Sequence, residues 1–218
     1  MGKYLKIFDT TSEYNSAKNN LELPNVSICD DDSTTVYYNP YDPYRGHEYV
    51  DLGLPSGTLW ATMNVGANSE TDYGNYYMYG KGSTQYNSQD APYDGTEKPL
   101  ADSADTAVQV WGGLWHMPTE SQIWELYHEV EYETLQYEYV TNFKNSGING
   151  GKFTANNGNY LFIPTSGYYN ENGILYGDTE DVIILSSDKD KALSMYMSPY
   201  ILSYYNLSYG CSVRPVIG

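Results

Sequence analysis

Apolar and polar residues alternate in short runs along most of this chain, and Gly, Pro, Asn, Asp and Ser interrupt nearly every run. Such a pattern predicts many short strands joined by turns. Tyr4-Leu-Lys-Ile-Phe8 alternates as a strand does, and Thr11–Lys18 reads as a short helix opened by a hydroxyl cap. Two more strands are expected over Asn25-Val-Ser-Ile-Cys29 and Thr35-Val-Tyr-Tyr38, with Asp30, Asp31 and Asp32 in the turn between them. Further on, Tyr49-Val-Asp-Leu52 and Thr58-Leu-Trp-Ala-Thr-Met63 flank the turn Pro55-Ser-Gly57, and Tyr73–Tyr79 reads as another strand. Strands are also predicted over 160–163, 182–185, 192–197, 200–205 and 211–216.

Two segments have helical character. Ala101–Val110 favours a helix that stops at Trp111-Gly-Gly113. The clearer one follows Pro118, where Thr119 and Gln122 have capping-box spacing. Ile123, Leu126, Tyr127 and Val130 then mark one apolar face. The predicted class is α+β, mostly antiparallel, with a small β-rich unit over 1–40, a Pro-stiffened linker over 41–45 and a main domain over 46–218. So short a first unit buries little core alone, so it is expected to dock on the rest of its own chain, on a symmetry mate or on another protein.

Composition narrows the function. The chain of 218 residues has 28 acidic against 11 basic residues, a formal net charge of −17. It therefore lacks the basic footprint of nucleic-acid binding and is ill suited to anionic membrane surfaces. Only 18% of residues are charged, while 26 are tyrosine. Tyrosine, serine, glycine and asparagine together make adaptable recognition surfaces, and tyrosine is also a good strand residue. The tyrosines crowd most in Tyr196, Tyr200, Tyr204, Tyr205 and Tyr209. No signal peptide is read in the first residues and no transmembrane run occurs, so synthesis in a cytoplasm without membrane insertion is expected.

Catalytic constellations are lacking. His47, His116 and His128 form no paired zinc motif, and no glycine-flanked serine elbow or phosphate loop appears. Glu125, Glu129, Glu131 and Glu133 read as a solvated helix face rather than a glycosidase pair. No enzyme and no cofactor are expected. Asp30–Asp32 lack the spacing of a calcium loop, and Cys29 and Cys211 read as separate buried thiols.

Four blocks carry a family resemblance. Gly46-His-Glu-Tyr-Val-Asp-Leu-Gly-Leu-Pro-Ser-Gly-Thr-Leu-Trp-Ala-Thr-Met-Asn-Val-Gly-Ala67, Asp72-Tyr-Gly-Asn-Tyr-Tyr77, Trp111-Gly-Gly-Leu-Trp-His-Met-Pro-Thr119 and Gly210-Cys-Ser-Val-Arg-Pro-Val216 stand in that order. Together they resemble the Fibrobacter succinogenes major paralogous domain over roughly residues 45 to 218. Three positions depart from its pattern: His116 replaces an arginine, Cys211 an aromatic, and Leu185-Ser-Ser187 lacks a tryptophan. The N-terminal block resembles segments of Bacteroidales phage structural proteins.

The resemblance implies a C-type-lectin-like fold, similar to the variable proteins of diversity-generating retroelements, which display changeable residues just before the C-terminus. It also implies a virion-surface protein, in a head or tail fibre or decoration, binding host-surface glycan or protein. Other virion proteins would hold its N-terminal unit, and the chain would be a homo-oligomer. The alternatives are a purely structural decoration protein and a bacterial surface adhesin. The expected ligand surface is Tyr200, Leu202, Tyr204, Tyr205, Asn206 and Ser208 with Asp188 and Asp190, framed by Trp60, Trp111, Trp115 and Arg214. By strand period Tyr200, Leu202, Tyr204 and Asn206 share the face expected outward, and Ser203 and Tyr205 the other. Lectin-like folds often hold calcium at the ligand tip, where Asp178, Glu180, Asp181, Asp188 and Asp190 offer oxygens; no spacing among them singles out a site.

Overall fold

Alternating side chains give each strand one face to bury, and the chain satisfies this with small antiparallel sheets rather than one large one. The computed structural model describes residues 6–8, 27–29, 35–38, 43–196 and 202–218. They fall in two units, Met1–His47 and Glu48–Gly218. In the first, β1 (Lys6–Phe8), β2 (Ser27–Cys29) and β3 (Thr35–Tyr38) pair in the order β1-β3-β2. Ile7 lies opposite Val36, and Ile28 opposite Tyr37. The helix expected over 11–18 and the Asp30–Asp32 turn lie outside the described residues.

The second unit is α+β, with mostly antiparallel strands and two helices among its described residues. β4 (Tyr49–Asp51) and β5 (Leu59–Ala61) form a hairpin, and the closing strand β16 (Val216–Ile217) pairs on β5. The start and end of the unit are thereby tied together, with Trp60 opposite both Val50 and Val216. β7 (Leu135–Val140), β8 (Gly150–Ala155) and β9 (Tyr160–Pro164) form a meander, and β12 (Asp181–Leu185), β13 (Lys191–Tyr196) and β14 (Leu202–Tyr204) another. The remaining sheet has the order β11-β10-β15-β6, built from β6 (Tyr77–Met78), β10 (Tyr168–Tyr169), β11 (Leu175–Tyr176) and β15 (Gly210–Cys211).

Helix α1 is confined to Thr106–Val110, shorter than Ala101–Val110. Asp105 sets its start: Oδ1 accepts from the Val108 N–H at 3.1 Å, and Oδ2 from the Met117 N–H at 2.9 Å. Helix α2 spans Glu120–Glu131 behind the expected capping box of Thr119 and Gln122. Thr119→Ala is therefore expected to cost about 1 kcal/mol of unfolding free energy, measured by urea denaturation; an unchanged midpoint would show that the cap contributes nothing. Ile123 and Leu126 of α2 meet Trp60, Phe153, Ile163, Ile184 and Leu193 in the main core.

Three expected strands differ in the structure. Over Tyr73–Tyr79 only Tyr77–Met78 is extended. Gly74 has φ +69° and packs so closely on the Val65 carbonyl that a side chain would collide there. The final run splits into β15 and β16, because Ser212–Pro215 steps between sheets. The Ser212, Val213 and Pro215 carbonyls accept from the Leu185, Val65 and Ala61 N–H groups at 3.0, 2.9 and 2.9 Å. The predicted strand over 200–205 is paired only at Leu202–Tyr204 among the described residues. Strands β7, β8, β10 and β11 were not anticipated.

Candidate functional site

The sheet β11-β10-β15-β6 gathers tyrosines from separate parts of the chain. Residues opposite one another in antiparallel strands share a face, so the register sets one row across it: Tyr77, Cys211, Tyr168, Tyr176. The row runs from the interior to the surface, since Tyr77 and Cys211 are buried and Tyr176 is 46% exposed. β10 and β11 are joined by a tight turn in which Asn170 Oδ1 accepts from the Asn172 and Ile174 N–H groups, both at 3.0 Å. Asn-Glu-Asn-Gly suits such a turn because these residues tolerate or stabilise its backbone.

After β14 the chain turns back over this row. Tyr209 stacks on Tyr168 at 5.0 Å between centroids, and Tyr176 stacks on Tyr168 at 5.9 Å. Tyr205 meets Tyr168 and Tyr209 edge-on at 5.4 and 5.7 Å. Offset and edge-on ring pairs are individually favourable, so the four rings form a preorganised patch. Burial drives the proton affinity of the Tyr205 hydroxyl far up, with Cys211, Tyr168 and Asp181 adding to the effect. Burial likewise holds the Cys211 thiol protonated.

Hydroxyl bonding sorts the tyrosines by role. Tyr73, Tyr76, Tyr79, Tyr86 and Tyr139 each donate to a backbone carbonyl and so lock one loop to another. The hydroxyls of Tyr168, Tyr176, Tyr205 and Tyr209 bond to no other described residue. On the opposite face Tyr86 stacks on Tyr169 at 5.4 Å and lies over Gly210, where a side chain would collide with its ring. Those rings are committed to the fold; Tyr168, Tyr176 and Tyr209 keep their polar tips available, while burial encloses that of Tyr205.

Of the residues expected at the ligand surface, Tyr200 lies outside the described residues. Leu202 and Tyr204 belong to β14, opposite Leu193 and Lys191. Tyr205 joins the ring cluster, half-buried, and its N–H donates to the Asp190 carbonyl at 3.0 Å. Asn206 is exposed and starts a turn, its Oδ1 accepting from the half-exposed Ser208 N–H at 3.0 Å. Strand period does not extend through 205–206, because pairing stops at Tyr204.

Asp188 is drawn into the frame: its Oδ2 accepts from the Glu120 N–H at 2.7 Å, at the positive end of α2. Asp190 occupies the β12–β13 turn with φ +64°. Among the described residues no group of three or more His, Cys, Asp or Glu side chains is placed to hold a metal ion. No helix among them is long and apolar enough to cross a membrane.

Of the frame residues Trp60 and Trp115 are almost completely buried, while Trp111 is half-buried and lies edge-on to Trp115 at 5.2 Å. Arg214 is fully buried; its Nε donates to Asn64 Oδ1 at 2.8 Å and its Nη1 to the Ala61 carbonyl at 3.0 Å. The helix-face carboxylates are also engaged, Glu125 with the Ser56 N–H and hydroxyl at 2.8 and 2.6 Å, and Glu131 with His128 at 3.4 Å.

No protein family, curated protein or solved structure matches the chain. Its function is therefore read from the chemistry of the tyrosine face. Sequence reasoning missed Tyr168 and Tyr176, although Tyr168-Tyr-Asn-Glu-Asn-Gly-Ile-Leu-Tyr176 carries a usable signal. Two pairs of strand residues, Tyr168-Tyr169 and Leu175-Tyr176, flank an Asn/Gly turn, the signature of a hairpin.

Proposed function

We propose that this chain is a virion-surface binding protein with a C-type-lectin-like main domain, whose tyrosine-rich face contacts host-surface glycan or protein. Its N-terminal unit would join it to other virion proteins or to copies of itself. The observation that carries the reading is the cluster of Tyr168, Tyr176, Tyr205 and Tyr209, joined by stacked and edge-on contacts, with hydroxyls that bond to no other described residue. Rigid aromatics with open polar tips lose little conformational entropy on binding, and such residues dominate interface energetics. The resemblance over residues 45 to 218 supports the fold, as does the pairing of the main unit's closing strand with its opening hairpin.

The test is binding of the purified protein to Bacteroidales cells and to a glycan array. Tyr176→Ala and Tyr209→Ala are expected to weaken binding about tenfold or more while leaving the melting temperature within a few degrees. Unchanged binding by both variants would remove this face from the function.

One observation favours the structural alternative. Trp124, His128 and Tyr132 stack along the outer side of α2, at 5.6 and 6.2 Å, and Tyr132 is 72% exposed. Packing against a neighbouring virion subunit would cover that stripe. Were it the main role, Tyr132→Ala would impair assembly and the tyrosine-face variants would not.

A further inference from the structure

Asp181 begins β12 beside the tyrosine row. Its backbone is fixed, the N–H donating to the Gly177 carbonyl at 2.7 Å and the carbonyl accepting from the Gly167 N–H at 2.9 Å. Its carboxylate lies against Gly177, where any side chain would collide with it. Among the described residues no hydrogen bond or ion pair reaches that carboxylate. It is half-buried, and burial together with the neighbouring Glu180 holds its carboxyl above the usual aspartate range. It lies close enough to Tyr168 and Tyr205 to raise the proton affinity of both hydroxyls, after the larger effect of burial. A carboxylate is thus kept partly dry beside stacked rings, with no cation supplied to it among the described residues.

We infer that the Tyr168, Tyr176 and Tyr209 stack and the Asp181 carboxylate together receive an arginine side chain presented by a partner protein. The inference rests on reading the tyrosine face as the binding surface. Three features select arginine. A guanidinium is planar, so it stacks on a ring face and pairs with a carboxylate through two parallel hydrogen bonds. Tyr176 ends the stack, touching only Tyr168 among described rings and 46% exposed, so its outer face is open to a cation. The net charge of −17 draws a basic surface toward the protein and selects against an acidic one. A neutral sugar would use the rings but leave Asp181 without a counter-charge.

The Asp181 carboxyl also fixes a control. Its folded-state proton affinity is raised, so the folded protein binds the proton more tightly than the unfolded chain does. Its contribution is full below the ordinary aspartate value of 3.8 and is lost as pH rises through the raised folded value. At pH 7 the charge is therefore a cost, and Asp181→Asn is expected to be at least as stable as the parent protein. Weaker binding by that variant would then not be a folding defect.

The probe is a Gly/Ser peptide carrying one central arginine, compared by calorimetric titration with its lysine and citrulline counterparts at low salt. Citrulline keeps the shape and removes the charge. The arginine peptide is expected to bind about tenfold more tightly than either counterpart, and Tyr176→Ala and Asp181→Asn to weaken it about tenfold each. Asp102→Asn, an exposed carboxylate on the loop before α1, is expected to leave binding unchanged. Equal binding of citrulline, or equal weakening by Asp102→Asn, would overturn the inference, the latter by showing unspecific charge attraction. A competition arm separates this inference from its parent. If Bacteroidales cells bind the protein, Tyr176→Ala abolishes that binding and the arginine peptide does not compete, the binding face stands and arginine is wrong. If cells bind parent and variants alike, the face itself is wrong.

Discussion

Arg214→Ala is expected to lower the unfolding free energy by about 4 kcal/mol. The guanidinium is entirely enclosed, and it fastens the final segment to Asn64 and to the Ala61 carbonyl at the end of β5. Asn64 in turn donates to the Tyr73 carbonyl at 3.0 Å, so one side chain joins three loops. Truncation leaves two acceptors facing a dry cavity, and each unsatisfied buried group costs free energy in addition to the void. The arginine is not itself well compensated. Burial pulls its proton affinity down to about 9, with Glu70 acting in the opposite sense, and Nη2 has no partner among the described residues. Arg214→Met, which fills the space without burying a charge, should therefore recover part of the loss. Arg214→Lys should recover less, having no planar fork to reach both acceptors. Chemical denaturation of the three variants decides; an alanine variant within 1 kcal/mol of the parent, on the scale of a surface change, would show that the bonds to Asn64 and Ala61 are dispensable.

Gly167→Ala is expected to cost about 2–4 kcal/mol and to dismantle the tyrosine patch. Gly167 has φ +58°, which side-chain-bearing residues rarely adopt, and an added methyl would strike the Tyr176 carbonyl and the Asp178 N–H. Both obstacles are backbone, so no rotamer change relieves the collision. The Gly167 N–H also donates to the Asp181 carbonyl at 2.9 Å, so a displaced Gly167 moves the hairpin and Asp181 together. The expected readouts are a lower urea midpoint, a reduced near-ultraviolet tyrosine signal and lost binding. Gly147→Ala serves as a comparison: Gly147 also has positive φ, but an added methyl meets nothing there. If the two variants lose equal stability, backbone conformation alone explains Gly167 and close packing adds nothing.

How much was legible varies from element to element, and the reasons are physical. The capping box at Thr119 and the apolar positions Ile123 and Leu126 give α2 from local spacing alone, since a helix satisfies its own hydrogen bonds. Strands are less self-contained. β7 alternates plainly in Leu135-Gln-Tyr-Glu-Tyr-Val140, yet it edges its sheet and depends on β8. β8 in turn begins with Gly150-Gly151, poor strand residues by propensity. They are accommodated because side chains there would collide with the Phe162 ring and with Met195 and Tyr137. Nothing local announces that requirement.

The candidate site divides the same way. Sequence alone determined an α+β chain of short antiparallel strands, strongly acidic and rich in tyrosine, with a capped helix and a tyrosine-dense stretch before its last segment. Residue type and spacing suffice for these, because propensity and period are properties of neighbours along the chain. Only the tertiary structure decided which tyrosines meet. Tyr168 and Tyr176 come from an earlier hairpin and reach Tyr205 and Tyr209 because β10 pairs with β15 in one register. It also drew Asp188 onto the start of α2 and placed Asp181 beside the rings with no cation paired to it among the described residues. Pairing between distant strands is fixed by burial and register, which no local window of sequence contains.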